Sequence, residues 1–383
     1  MMTASKIRLI YLLMYMAFAV WRVYYNIYLE DIGLRGSQIG TLNALMQAAL
    51  LPFVIFWGAM ADKKGIRPVL RWLVIATAII IVFLGKITSF WYLLFYIPFL
   101  TLFYHPLGPL TDAMAVQFTE TSNKHAYGGF RLWGSMGWMI ASILGGIVFS
   151  RIDLKYIFPV SSGLFVLLLF LLFTRKRKRI FKPNYQSISF KEIIKDKQLL
   201  YFILLMIAYG ITCSPVNSYI NLYFRDINAG NDIVGYAYAV MAFSELPLFL
   251  LGDKLLKKWG PERVIIIAMI AMLIRFMFYG LVPNIGLALI VGAVQGISLS
   301  FFLVGAVGFM QNIMAEGRHA TAQSLIWGTM FGIGQMIGNL FIGSLLDSTG
   351  MVGIMKIFII ISFACLVFGL FYFKIYNIKK PLA

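Results

Sequence analysis

Long apolar runs alternate with short polar breaks along nearly the whole chain. The runs cover about 8–30, 38–61, 68–86, 90–117, 126–150, 156–174, 199–224, 231–252, 262–282, 284–313, 319–346 and 351–374. A helix of ~20 apolar residues is long enough to cross the ~30 Å hydrocarbon layer of a bilayer. A lipid-embedded segment must satisfy its own backbone donors and acceptors, so each run is read as a helix. The pattern therefore predicts an all-α membrane protein of twelve transmembrane helices, spans 1 to 12. The longest hydrophilic stretch, Arg175 to Lys197, divides the spans six and six. It predicts an N-terminal six-helix bundle over 1–174, a basic cytoplasmic linker over 175–198 and a C-terminal six-helix bundle over 199–383.

Composition agrees with this pattern: 61% of residues are hydrophobic and only 13% charged, which leaves no soluble domain of useful size. The net charge of +18 raises the question of nucleic acid, and the placement of the charges answers it. With the N-terminus inside, the inner segments hold Lys6, Arg8, Lys63, Lys64, Arg67, Arg71, Lys124, the cluster Arg175 to Arg179 and Lys254, Lys257, Lys258 and Arg263. The outer segments hold only Arg35, Lys86, Arg151, Lys155, Arg225 and Lys356. Positive charge gathers on the cytoplasmic side of membrane proteins, so both termini are expected in the cytoplasm of a cell-membrane protein, with lipid and not nucleic acid as its surroundings. The first run contains Arg22 and lacks a small-residue cleavage site, so it reads as a span rather than a signal peptide. Cys213 and Cys365 both fall within apolar runs and are expected as free thiols.

Between spans 2 and 3 stands Gly58-Ala-Met-Ala-Asp62-Lys63-Lys64-Gly65-Ile-Arg67-Pro68. Asp62 and Gly65 suit a helix exit and a tight turn, and Pro68 suits the first turn of the next helix. This order resembles the signature loop of the major facilitator superfamily of transporters. The resemblance implies that Asp62, Lys63 and Arg67, set by Gly58 and Gly65, latch two halves of the protein together at the cytoplasmic side. Gly252-Asp253-Lys254-Leu-Leu-Lys257-Lys258-Trp-Gly260-Pro261-Glu-Arg263 occupies the corresponding place between spans 8 and 9, without the Asp-Lys-x-Gly order. The offset from Gly65 to Gly260 is 195 residues (260 − 65), about half the chain. Two related halves with a binding site at mid-membrane are the expected transporter architecture, the major facilitator fold.

Five ionisable residues lie well inside spans: Arg22, Asp112, Arg131, Glu245 and Arg275. Each costs about 2.5–3.5 kcal/mol or more at mid-bilayer, so such residues face a cavity or a partner. Span 4 carries His105-Pro-Leu-Gly-Pro109-Leu-Thr-Asp112-Ala, and its prolines break the helix ladder near Asp112. Span 5 carries Tyr127-Gly-Gly-Phe-Arg131-Leu-Trp-Gly134-Ser-Met-Gly137-Trp138. Arg131, Ser135, Trp138 and Ser142 share one helical face, while Gly134, Gly137, Ala141 and Gly145 form a stripe for close helix packing. Asp112 and Arg131 are candidates for a buried pair on adjacent helices. This region is similar to spans 4 and 5 of the lactose-permease type of oligosaccharide–proton symporter. Read as Arg-Leu-Trp-Gly-Ser-x-Gly, it looks more like the phenylpropionate-permease branch. The resemblance implies that Asp112 and Arg131 bind polar groups of a substrate and that Trp138 stacks on its ring.

The second half departs from the lactose-permease pattern. The proton-relay Lys, His and Glu of that branch are replaced here by Gly308, Gln311 and Met314. Glu245 and Asp112 remain as candidate proton carriers, because burial lets a carboxylic acid cycle between neutral and charged forms. Pro247 is expected to open the helix beside Glu245. The alternative role for Glu245 is a hydrogen bond joining spans 7 and 8. Spans 1, 4, 5 and 8 line the cavity in the superfamily this chain resembles and span 9 is peripheral, so the resemblance implies Arg22 at the cavity with Asp112 as a partner, and Arg275 in a structural or snorkelling role. Asn217 and Gln311 complete the candidate substrate site. A substrate carboxylate fits if Arg22 and Arg131 both reach the cavity; a neutral polyol fits if Arg22 is tied up elsewhere.

These features predict a secondary active transporter without metal or cofactor, taking up a small polar organic solute with protons, and the resemblance implies that it works as a monomer. The solute is a sugar or an aromatic or organic acid. An exporter or antiporter of another small molecule, such as a nucleoside or drug, is the alternative. No Gly-x-x-x-x-Gly-Lys-Ser/Thr phosphate loop is present to draw on ATP. A polytopic membrane enzyme would need a cluster of acids, bases or metal ligands. The three histidines, His105, His125 and His319, are scattered instead. A transporter-like receptor without flux is the third reading.

Overall fold

A computed structural model describes residues 3–122, 127–173, 196–313 and 325–376. Most of the predicted linker, His125, His319 and Met314 fall outside these residues. The described residues contain helices and no strands. Ten helical stretches among them are long and apolar enough to cross a membrane. The last of these, Trp327–Ile375, turns at Gly350 (φ 62°, ψ 175°), so it crosses twice, as spans 11 and 12. Span 8 is the separate 29-residue helix Asn231–Trp259. Together these make the twelve helices that the hydropathy pattern predicts. Rings and aliphatic chains such as Trp91, Phe95, Phe170, Ile290 and Phe371 stand exposed on the outer surface, as lipid-facing positions require.

Several spans are broken rather than straight. Span 1 consists of Ala4–Arg22 and Tyr25–Asp31, and span 7 of Lys197–Ser218 and Ile220–Asp226. Span 2 breaks between Ala48 and Leu50, and span 4 between Tyr104 and Leu107, where Pro106 cannot continue the ladder. Span 8, by contrast, continues as helix through Pro247, so the expected local opening beside Glu245 is not found. Neighbouring carbonyls tolerate the missing donor without a break there.

The two copies of the repeat are closest at spans 1 and 7. Tyr24 (φ −108°, ψ 0°) and Tyr219 (φ −121°, ψ 6°) make the same kink and each begins a seven-residue helix. Gly33 (φ 84°) and Asn228 (φ 60°) then end those helices in the left-handed region, which glycine and asparagine enter most readily. Gly65 and Gly260 share a third geometry, φ 90° with ψ 144° and φ 77° with ψ 157°. Every pair is 195 residues apart (219 − 24, 228 − 33, 260 − 65).

The glycine stripe of span 5 packs on span 1. A side chain at Gly134 would strike the Tyr15 ring, one at Gly137 the Leu12 carbonyl and one at Gly145 the Tyr24 ring. Two further contacts join the early spans to the late ones: span 2 lies along span 11, and span 5 along span 8. At the first, a Cβ on Gly40 would stand 2.6 Å from the Gly343 Cα. At the second, Gly146 meets Asp232 and Gly235 meets the Ser142 carbonyl. These close approaches lie toward one end of the molecule, the end that carries Gly33 and Gly350.

Candidate functional site

The kinks in spans 1 and 7 bring polar groups together where the early and late spans meet. Asn26 donates from its amide to the Ser218 carbonyl at 2.5 Å, and Asn221 donates to the Val23 carbonyl at 2.8 Å. The two bonds are reciprocal, since Asn26 and Val23 are each 195 residues from Asn221 and Ser218 (221 − 26, 218 − 23). Asn43 of span 2 donates in turn to the Asn26 oxygen at 3.0 Å. Beside this clasp lies a small cavity lined by Arg22, Tyr25, Asn26, Asn43, Trp138, Asn217, Ser218 and Tyr238. Three of the residues expected at a substrate site, Arg22, Trp138 and Asn217, therefore share one cavity. The Tyr25 hydroxyl is buried with no hydrogen-bond partner. A buried hydroxyl left unsatisfied is costly, so it marks a place for a polar ligand atom.

Arg22 is half-buried. Its guanidinium lies 5.5 Å from the Trp21 ring centre and its Nη1 is 2.6 Å from the Met46 sulfur. No carboxylate lies within ion-pair distance of it among the described residues. Asp112, its expected partner, is engaged elsewhere. Arg131 Nη1 approaches both Asp112 oxygens, at 2.9 and 3.1 Å, and the Tyr11 hydroxyl donates to Asp112 at 2.7 Å. The Arg131 guanidinium also sits 5.3 Å from the Tyr15 ring centre. The expected Asp112–Arg131 pair thus forms, although its side chains are 28% and 38% exposed rather than fully buried. It lies outside the lining of the small cavity.

Glu245 and Arg275 form a second charged group through a residue that the sequence pattern does not single out. Gln295, in span 10, accepts from Arg275 Nη1 at 2.5 Å and donates to Glu245 at 3.3 Å. Guanidinium has donors only, so the Gln295 oxygen must face Arg275 and its NH2 is left for the Glu245 carboxylate. Arg275 also donates to Ser298 at 3.0 Å. Its side chain is 0% exposed, which excludes snorkelling and leaves the structural role. The bond from Glu245 runs to span 10, not to span 7 as the alternative reading supposes. A neutral glutamine in an apolar run costs little to bury when paired, so charge-based reading passes over it.

The remaining expected residues lie apart. Gln311 is exposed near the end of the helix Phe302–Ile313 and does not line the cavity. Asp62, Lys63 and Arg67 stand at the opposite end of the molecule from Gly33, around the turn at Gly65. Among the described residues none of the three has a hydrogen-bond or ion-pair partner, and a side chain at Gly58 would meet open space. At the Gly33 end the reverse holds. Arg225 bridges Glu30 at 3.3 Å and Asp31 at 2.5 Å, and Asp347 accepts from the Gly36 amide at 2.7 Å. Asn231 donates to the Phe149 carbonyl at 2.9 Å. The early and late spans are thus bonded together at the Gly33 end, while Asp62, Lys63 and Arg67 show no such bond among the described residues.

A family model, the MFS_1 like family, matches residues 4–359. The chain belongs to that family, and so to the major facilitator superfamily of transporters. Among relatives of this transporter, the maltose permease of Geobacillus stearothermophilus is 26% identical over 346 residues, covering 88% of this chain and 86% of the permease. The probable 3-phenylpropionic acid transporter of Escherichia coli strain K12 is 24% identical over 275 residues, covering 70% and 72%. The crystal structure of the nucleoside transporter NupG superposes with a TM-score of 0.83 at 16% identity, over 98% of this chain and 99% of that one. At that identity the likeness concerns the fold alone. It is the all-α, multi-pass fold expected from the apolar pattern. Membrane embedding and a small-molecule substrate follow from the family.

Proposed function

We propose that this protein is a proton-coupled importer of a small polar organic solute, working as a monomer in the cell membrane with both termini in the cytoplasm. Residues 1–174 and 199–383 act as two six-helix bundles that rock about the central cavity, joined by the linker at 175–198. The observation that carries this reading is the cavity itself. Its walls include the equivalent kinked spans 1 and 7, the early and late spans meet at one end through Arg225, Gly40 and Gly343, and at the other end Asp62, Lys63 and Arg67 have no partner among the described residues. Such a cavity is what alternating access requires of an inward-facing state, with the Gly33 end outermost.

In this scheme Arg22, Trp138 and Asn217 contact the solute. Asp112 and Arg131 lie on its path toward the cytoplasm. Glu245 carries the proton, with Asp112 as the other carboxylate on the pathway. When the halves part on the outside, Asp62, Lys63 and Arg67 close the inside. Proteoliposomes with an entrapped pH probe test the whole reading. Adding a sugar, organic acid or nucleoside from a panel is expected to produce a proton signal with one class. Solute accumulation with no proton movement would overturn the coupling. Solute moving out in exchange for protons would make the protein an exporter.

A further inference from the structure

Among the described residues, pairing of the five charges well inside the spans leaves one cation over. Asp112 is engaged with Arg131 and Tyr11. Glu245 is tied to Arg275 through Gln295. Arg22 alone among the five has no acid, direct or bridged, among the described residues. Its surroundings are a thioether and an indole ring, neither of which neutralises a guanidinium. It nonetheless lines the central cavity, next to a buried tyrosine hydroxyl that has no partner. Directly across the kinked pair, at the position equivalent to Arg22 (217 − 22 = 195), stands the neutral amide of Asn217. The two halves therefore offer one cation and one amide at matching places, a site with a charged side and a neutral polar side.

We infer that the substrate is a small organic monoanion, its carboxylate held by Arg22 and the Tyr25 hydroxyl, its uncharged part against Trp138 and the Asn217 amide. Guanidinium presents a planar pair of donors that matches a carboxylate in two hydrogen bonds. The cavity is small and lined by eight residues, which suits a single ring or a short chain rather than a disaccharide. A neutral polyol would leave Arg22 desolvated and unpaired, the costlier arrangement.

This inference rests on the transporter reading only in taking the cavity as the substrate site. Its test is equilibrium binding to the purified full chain in detergent, followed by thermal shift. The probes are benzoate, 3-phenylpropionate, lactate and pyruvate, each beside its neutral amide. At least one acid is expected to bind about 10- to 100-fold more tightly than its amide, the range for a charge-assisted contact. Arg22→Gln is expected to abolish the preference for acid over amide, while Arg22→Lys keeps part of it. Equal binding of acid and amide to the parent protein, no binding of any acid, or a preference that survives Arg22→Gln would each overturn the inference. Proton flux separates the two readings. A neutral sugar that binds and moves protons would leave the transporter reading intact and remove the anion. Acid binding that depends on Arg22 but moves no proton would do the reverse.

Discussion

The closure at the Gly33 end depends on backbones meeting without side chains between them, so a side chain placed there should open it. At Gly40 a Cβ would come within 2.6 Å of the Gly343 Cα and 2.8 Å of the Asn339 carbonyl oxygen. Non-bonded heavy atoms prefer about 3.5–4.0 Å, so spans 2 and 11 must separate by roughly 1 Å to admit a methyl group, and further for leucine. Overpacking of this kind costs about 1–3 kcal/mol. In Gly40→Leu that cost falls on the outwardly closed state and is relieved when the bundles part on the outside. A bias of about 1–3 kcal/mol changes a two-state ratio by about 5- to 150-fold. The assay is labelling of Ser218→Cys, a cavity-lining position, by a membrane-impermeant maleimide added to intact cells. Cys213 and Cys365 are first replaced by alanine. Labelling of the Gly40→Leu protein is expected to be at least about fivefold faster than that of its parent. Gly163→Leu is the control, since a side chain there meets nothing within 4 Å. An unchanged labelling rate in a Gly40→Leu protein present at normal levels in the membrane would refute the assignment of this contact as the outer closure.

Three other outcomes follow from the charged groups. Arg131→Ala should lower uptake at least about 30-fold with normal membrane insertion, because it removes the cation held by Asp112; normal uptake would take the pair out of the transport path. Glu245→Gln should lose accumulation against a gradient and keep exchange of solute across the membrane, measured as counterflow. Accumulation retained in that variant would assign coupling to another group. Gln295→Leu deprives the wholly buried Arg275 of an acceptor and should destabilise the protein by about 1–3 kcal/mol, seen as earlier thermal unfolding in detergent. An unfolding temperature equal to the parent's would mean that Arg275 finds another acceptor.

Residues that are expensive to bury were legible before any coordinates. A charge inside an apolar run announces itself, and helical spacing on span 5 was enough to bring Arg131 toward Asp112 and Trp138 to the cavity side. The partners of those charges were harder to read. Asp112 has two candidate partners in the sequence, Arg131 on the adjacent span and Arg22 on a span that lines the cavity in the resembling family, and nothing in the spacing shows that Arg131 and Tyr11 take that carboxylate and leave Arg22 without it. Gln295, Asn26 and Asn43 are neutral amides whose burial is paid for by hydrogen bonds to distant groups, two of which accept with a backbone carbonyl or an amide oxygen. Backbone acceptors carry no sequence signature. Gln311 shows the opposite case: offered as an amide for the substrate, it is exposed and does not line the cavity.

The 195-residue offset carries more than the glycines that first reveal it. Tyr24-x-Asn26-x-Tyr28-x-x-Asp31 and Tyr219-x-Asn221-x-Tyr223-x-x-Asp226 are the same series in the two halves. Their conserved members do the same structural work: Tyr24 and Tyr219 each donate to a backbone carbonyl, of Ser142 and Asn339, and the two asparagines clasp each other's spans. The positions where the copies differ are of another kind. Glu30 stands opposite Arg225, and these two residues face each other as an ion pair across the junction of the copies. Arg22 stands opposite Asn217, and both line the cavity. A symmetric junction made of two like charges would repel itself, and a symmetric cavity of two arginines would need two anions. Sequence divergence at these places is therefore what lets duplicated geometry close on itself at the Gly33 end and leaves its central cavity with a single cation.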